Sequence, residues 1–305
     1  MLWSLFFLSA LAVAIRIYVE PQLDLAGRLN RKAAMYYLAA AGVKRAVLEL
    51  ENDETTDFDA LSDLWSDDKT IHEMALGEGN FSVGIVDEER KININKASKE
   101  ILKNLFEIAA ELDSDEAGAL ADTVIDWRDE DDDPGDEGAE DWYYSTLHPP
   151  YSCKNADFET IEELFLVKGV THEIFDCVRD LITVYGDGAV NINTADEKVL
   201  RILGMEEELV EKILQFRQEG AYGTEEYEGI FTSAEHIASV LDSAIGLSAT
   251  EINRINRIFG MGFLTVVSDN FMGNSIGKLT EIDGIASVTF VYNRKDKTMN
   301  YWRER

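Results

Sequence analysis

Residues 91–106, KININKASKEILKNLF, and residues 189–204, AVNINTADEKVLRILG, carry one pattern at an offset of 98 positions. Asn93, Ile94, Asn95, Ala97, Leu102 and Leu105 stand where Asn191, Ile192, Asn193, Ala195, Leu200 and Leu203 stand in the second copy. The match runs on. Trp127-Arg128 corresponds to Phe216-Arg217, and FETIEEL (158–164) to FTSAEHI (231–237). Self-similarity over such a distance marks a duplicated supersecondary unit. Thr194 with Glu197, Thr160 with Glu163, Thr232 with Glu235 and Ser248 with Glu251 have capping-box spacing. Residues 93–258 therefore read as an all-helical domain of short helices, with the asparagines bracing turns through side-chain to backbone bonds.

The flanks read differently. MLWSLFFLSALAVAI has no charge before Arg16, and is shorter than the roughly 20 apolar residues of a full span. Beyond it the pattern stays helical, with Leu29, Ala33, Tyr36 or Tyr37, Ala40, Val43 and Val47 three or four apart. Pro21 can bend such a helix without ending it. One long helix over about residues 2–50 is expected, lipid-soluble in its first part and packed on a globular head in its second. NFSVGIVDEERKINI (80–94) predicts one or two strands. FLTVVSDN (263–270), GIASVTFVYNRK (284–295) and TMNYWRER (298–305) predict more, with GNSIGK (273–278) as a loop between two of them. The expected organisation has three parts. Residues 1–92 form the helix and first strands, 93–258 an inserted helical domain, and 259–305 the strands that complete the sheet. The class is α+β.

The first copy of the repeat is longer than the second. Arg128 to Phe158 is 30 positions and Arg217 to Phe231 is 14, leaving 30 − 14 = 16 extra residues. The extra length holds DWRDEDDDPGDEGAEDWYY (126–144), with ten acids in nineteen positions. Asp129, Asp131, Asp133, Glu137 and Glu140 fall at positions 1, 3, 5, 9 and 12 of a calcium-loop spacing. Pro134 stands where an EF-hand has its glycine, and Gly135 follows one residue late. Oxygen-only ligands with no adjacent His or Cys favour calcium over zinc or copper. Asp126, Asp132, Asp136 and Asp141 are secondary candidates, for a second ion or as solvated charges.

Composition excludes several functions. The net charge of −31 repels phosphate backbones, so nucleic acid is not an expected partner. His72, His148, His172 and His236 form no HExxH, no GxSxG occurs, and GNSIGK is one residue short of a P-loop. No catalytic residue is identified. Cys153 and Cys177 form no CxxC; a bridge between them requires an oxidising compartment.

YYLAAAGVKRA (36–46), KININKAS (91–98), IDWRDEDDDPGDEGAEDWYY (125–144), KNADFETIEELFLVKGV (154–170), AVNINTADEKVL (189–200) and NYWRER (300–305) together resemble the general secretion pathway protein K family, minor pseudopilins of bacterial type II secretion. The resemblance implies a pseudopilin fold, a long helix on an antiparallel sheet, with a large inserted helical domain. It implies a non-catalytic, single-pass inner-membrane protein with its head in the periplasm, matured by a prepilin peptidase. With I- and J-type minor pseudopilins it would form the tip of a pseudopilus that exports folded proteins, the inserted domain making the head too broad for a subunit above it. It also implies one or two calcium ions near the acids, and a compartment in which Cys153 and Cys177 can be bridged. The family carries a basic leader and a glycine cleavage site ahead of the apolar segment, whereas this sequence opens inside that segment. Two other readings compete. VNINTA before a helix pair resembles helix-hairpin-helix units of DNA-uptake proteins. Its hairpin LGMEEELVEK, however, carries four glutamates and one lysine. A minor type IV pilin shares the helix but needs no insertion.

Overall fold

The computed structural model describes residues 2–53, 55–66, 74–220 and 229–305; His72 lies outside them. In chain order the elements are α1 (Leu2–Tyr18), α2 (Glu20–Glu51), β1 (Met74–Leu76), β2 (Gly79–Asp87), β3 (Ile92–Asn93), α3 (Lys99–Ala109), α4 (Ser114–Arg128) and α5 (Asp141–Tyr144). A 3-10 helix over Ile161–Leu166 precedes α6 (His172–Val178), β4 (Ile182–Thr183), β5 (Val190–Asn191), α7 (Glu197–Ile202) and α8 (Glu207–Gly220). There follow α9 (Ile237–Ala244), α10 (Ala249–Gly260), β6 (Leu264–Thr265), β7 (Asn270–Leu279), β8 (Ala286–Asn293) and β9 (Thr298–Glu304). The fold is α+β, as the sequence implies.

The contacts divide the chain into two compact units: residues 1–52, 64–86 and 272–305, and residues 53–63 and 87–271. The first unit is built on the N-terminal helix. α1 and α2 are separated only at Val19, whose N–H bonds to the Ile15 carbonyl at 2.8 Å while its own carbonyl accepts from Leu23 at 3.0 Å. Pro21 has no N–H to give Ile17, which accounts for the local irregularity. Residues 2–13 are exposed throughout, whereas α2 buries Leu38, Ala39, Gly42, Val43, Ala46 and Leu50. That stripe has helical periodicity and lies on a five-stranded sheet of order β1-β2-β7-β8-β9. β1 and β2 are antiparallel, as are β8 and β9. Helix and sheet approach closely through glycine. A Cβ at Gly277 would stand 2.1 Å from the Met35 carbonyl oxygen, and one at Gly42 would stand 2.1 Å from Ser275 Oγ. Residues 273–278 are consequently part of β7, not the expected loop. Gly277 serves the approach to α2, and Gly273 leaves room for the Phe290 ring; neither serves a turn.

The second unit realises the repeat. β3 pairs in parallel with β4, and β5 with β6, so Ile92-Asn93 and Val190-Asn191 occupy equivalent places. Asn95 gives its amide to the Phe158 carbonyl at 3.0 Å and accepts from the Phe158 N–H at 2.7 Å; Asn193 does the same with Phe231, at 2.9 Å both ways. Each side chain replaces a backbone partner across the unit. The arginines correspond too. Arg128 donates to the carbonyls of Ile94 and Ala97, Arg217 to those of Ile192 and Ala195. Burial pushes the Arg217 guanidinium down to about 10. Leu102, Leu105, Leu200 and Leu203 enter one continuous core from both copies.

The units cross at 52/53 and 63/64, which the sequence reading did not foresee, and at 86/87 and 271/272, where that reading placed 92/93 and 258/259. The reason is the buried triplet Asp87-Glu88-Glu89. Asp87 Oδ2 accepts from Thr194 at 2.5 Å and Ser268 at 2.8 Å; Glu88 Oε2 accepts from Thr183 at 2.5 Å; Glu89 accepts from the Asn270 side chain at 2.7 Å. These bonds commit the triplet to the helical unit. They also change one expected cap. Thr194 is taken by Asp87, and Asp196 caps α7 instead. Thr160 and Ser248 form their capping boxes. Ser233, not Thr232, stands before the 3-10 turn Ala234–His236, without a side-chain cap.

Candidate metal centre

The acidic insertion begins at the end of α4 and is organised around one buried carboxylate. Asp126 accepts the Gly135 N–H at 3.1 Å (Oδ1) and 3.2 Å (Oδ2), and the Ala139 N–H at 2.7 Å. A Cβ on Gly138 would fall 1.8 Å from Asp126 Oδ2, so the loop closes on that oxygen only with glycine there. Lys99 pairs with Asp122 at 2.5 Å, and Lys168 Nζ donates to the carbonyls of Glu137 and Gly138 at 3.1 Å each. Beneath the loop, Tyr144 is wholly buried, with its ring 5.1 Å from Trp127 and 5.3 Å from Tyr151. Tyr144, at the aromatic end of the run, is an anchor. It holds the segment down while its acids turn outward or inward.

Two of the inward ones, Glu140 and Asp129, have no adequate partner. Glu140 is 1% exposed, and neither of its carboxylate oxygens has a well-formed hydrogen bond, the neighbouring Cys153 thiol being the one donor that favours its charge. The Cys153 thiol beside it donates to the Asp126 carbonyl at 3.5 Å. Burial first, then the charges of Asp126, Asp129 and Asp132, push the Glu140 carboxyl up to about 7. Asp129 Oδ1 is likewise buried without a partner, and burial and the charges of Asp131 and Asp126 raise that carboxyl. Asn155 Oδ1 is a further orphaned oxygen. The Asn155 amide nitrogen bonds to the Asp131 carbonyl at 3.1 Å and Asp132 Oδ1 at 3.0 Å, two acceptors that fix its orientation. Buried polar atoms are normally satisfied. Carboxylates left bare beside one another are the arrangement a divalent cation relieves.

Of the five acids singled out by spacing, Asp129 and Glu140 contribute buried oxygens. Asp131, Asp133 and Glu137 are exposed. Asp131 Oδ1 accepts from the Asp133 N–H at 2.9 Å, and the Glu137 N–H reaches toward Asp122 Oδ2 at 3.4 Å. Among the secondary candidates, Asp126 is taken by backbone donors, Asp141 Oδ1 accepts the Cys153 N–H at 2.6 Å, and Asp132 and Asp136 are exposed. Asn155 was invisible to carboxylate spacing. Its one sequence sign is a residue type that tolerates the left-handed region, which it occupies at φ 47°. Cys153 is buried and Cys177 exposed on α6, and both are free thiols. Elsewhere, carboxylate oxygens of Asp53, Asp59 and Asp63 lie within 4.8 Å of one another. Those acids already accept bonds from Thr55, Ser268 and Ala60 respectively.

Residues 79–187 match the family model described as "Type II secretion system (T2SS), protein K". Type II secretion system protein K of Pseudomonas aeruginosa is 27% identical over 190 residues, an alignment covering 57% of this chain and 57% of that protein. The crystal structure of the GspK-GspI-GspJ complex from the enterotoxigenic Escherichia coli Type 2 Secretion System contains a similar chain. The superposition has a TM-score of 0.65 at 18% identity and covers 94% of this chain and 99% of that one. The two sequence matches bear out the resemblance to protein K, and the structural match bears out the fold over nearly the whole length.

Proposed function

We propose that this chain is a minor pseudopilin of a type II secretion system, acting at the pseudopilus tip without catalysis. The observation that carries the reading is the N-terminal helix. An uncharged, fully exposed apolar stretch runs into α2, whose distal half buries Leu38 to Leu50 against a sheet. Such a helix is a membrane segment and a head scaffold in one piece. Its place is the inner membrane, with both units in the periplasm, after trimming by a prepilin peptidase. The structurally similar chain belongs to a three-protein complex, which supports assembly with I- and J-type minor pseudopilins here. Ala33 and Tyr37 remain exposed on α2 for helix packing, while Ala34 and Ala41 are used on the protein's own sheet. The −31 charge argues against the DNA-binding alternative. Membrane fractionation with protease accessibility tests the reading. Full-length protein in the inner membrane, cleaved only by protease admitted to the periplasm, is expected; soluble cytoplasmic protein would defeat it.

The acidic insertion fits calcium. Asp129, Glu140 and Asn155 supply the buried oxygens, and Asp131, Asp132 and Asp133 flank them. The ion would neutralise the repulsion within the loop and fix it on the aromatic anchor, a structural role. Metal analysis of protein purified without chelator should find calcium. Metal-free protein whose melting point ignores added calcium would refute the site.

A further inference from the structure

We propose that β9 is a docking edge for an extended, acidic segment of a partner protein. The proposal stands on the first unit's geometry and does not need the tip reading. Among the described residues β9 pairs with β8 alone and ends the sheet. Ser287 and Arg305 exchange both main-chain bonds, at 3.0 Å each, and Thr289 lies opposite Arg303. Antiparallel ladders alternate. The main-chain groups of Arg303 and Arg305 are therefore spent on β8, while those of Trp302 and Glu304 point away from the sheet. Thr298 to Asn300 and Trp302 to Arg305 are exposed, with Met299 and Trp302 each at 40%. This open ladder is where an added strand would find its hydrogen bonds.

The charge of the edge selects the occupant. On β9 and the residue after it, Arg303 and Arg305 stand against Glu304, a balance of +2 − 1 = +1, while the whole chain is −31. The Arg303–Arg305 face of the edge repels the same face of a second copy, the usual defence of an open strand. It leaves the edge open to acidic strands. Side chains alternate, so Arg303 and Arg305 share one face and Trp302 lies on the other. The complementary segment carries acids two residues apart with an apolar residue between them. Cross-strand opposite charges and an aromatic–aliphatic pair would fix its register.

The test uses the full chain in a non-ionic detergent and two blocked, fluorescently labelled seven-residue probes, alternating Val-Glu and alternating Val-Lys. Anisotropy should show the glutamate probe binding at low salt, at least tenfold tighter than the lysine probe and weaker in 0.5 M salt. Hydrogen exchange should slow at Trp302 and Glu304, whose N–H groups point outward. The double charge swap R303E/R305E should reverse the preference, which a misfolded protein could not do. Glu304→Pro, which blocks an outward N–H at an edge position that tolerates proline, should abolish binding of the glutamate probe. Equal binding of both probes, or an unchanged preference in the charge swap, would overturn the proposal. So would binding to anionic vesicles through the same arginines without binding to the glutamate probe. Concentration-dependent self-association abolished by the swap would assign the edge to a second copy and overturn it equally.

Discussion

Replacing Glu140 by glutamine should change the stability of this protein in opposite directions with and without calcium. In the metal-free fold the Glu140 carboxyl, ordinarily at 4.5, is pushed up to about 7 by burial and three neighbouring aspartates. Each unit of pKa is worth about 1.36 kcal/mol, so holding the charged form inside the fold costs about 3 kcal/mol. The sign follows from linkage. A carboxyl raised in the folded state favours folding while protonated; its contribution is complete below pH 4.5 and is lost as pH rises through 7. Glu140→Gln removes the charge at every pH, and its unpaired amide returns about 1 kcal/mol of the gain. At pH 8 in chelator the variant should therefore be about 2 kcal/mol more stable, and by pH 5 the two should converge. In saturating calcium the order should invert. Wild type gains about 2.7 kcal/mol at a hundred times the dissociation constant, and the variant has lost a charged ligand. The assay is chemical denaturation of both proteins at pH 5 and pH 8, with calcium or chelator, read on the helical unit. A glutamine variant that is less stable than wild type in both buffers at pH 8 would refute the reasoning.

Gly138→Ala should open the loop, because its Cβ would meet Asp126 Oδ2 at 1.8 Å; calorimetry should show a destabilised helical unit with little calcium response. Asn193→Ala removes two 2.9 Å bonds to the buried Phe231 backbone and should cost about 3 kcal/mol. The equivalent Asn95→Ala, at a more accessible site, should cost less in the same denaturation experiment. Gly42→Ala would place a Cβ 2.1 Å from Ser275 Oγ. It should destabilise the first unit by about 1–3 kcal/mol while calcium binding, measured by titration calorimetry, stays unchanged.

The repeat was legible because its signature residues do specific chemistry. Asn95 and Asn193 each substitute for a strand, and Arg128 and Arg217 each cap two carbonyls, so residue identity and not only polarity had to recur. The long helix and the strands over residues 286–304 were legible from periodicity. What failed depended on distant partners. Thr194 has perfect capping spacing, yet its hydroxyl is claimed by Asp87, 107 residues away. GNSIGK has the composition of a turn, yet Gly277 allows β7 to reach α2 and Gly273 makes room for Phe290. In the acidic loop, spacing singled out Asp129, Asp131, Asp133, Glu137 and Glu140 alike and could not tell that only Asp129 and Glu140 carry buried, unpaired oxygens. Burial makes that distinction, and burial is set by Tyr144 and Trp127. Asn155, from outside the acidic run, had no local sign of its orphaned oxygen.

The central claim is that this chain works as one subunit of a minor pseudopilin assembly. The most direct measurement is native mass spectrometry of the full chain in detergent, co-expressed with the I- and J-type minor pseudopilins of the same secretion system. The account predicts a complex containing one copy of each, lost when Ala33 and Tyr37 on the exposed face of α2 are both changed to aspartate. A monomer of this chain at high micromolar concentration, in the presence of both partners, would contradict it.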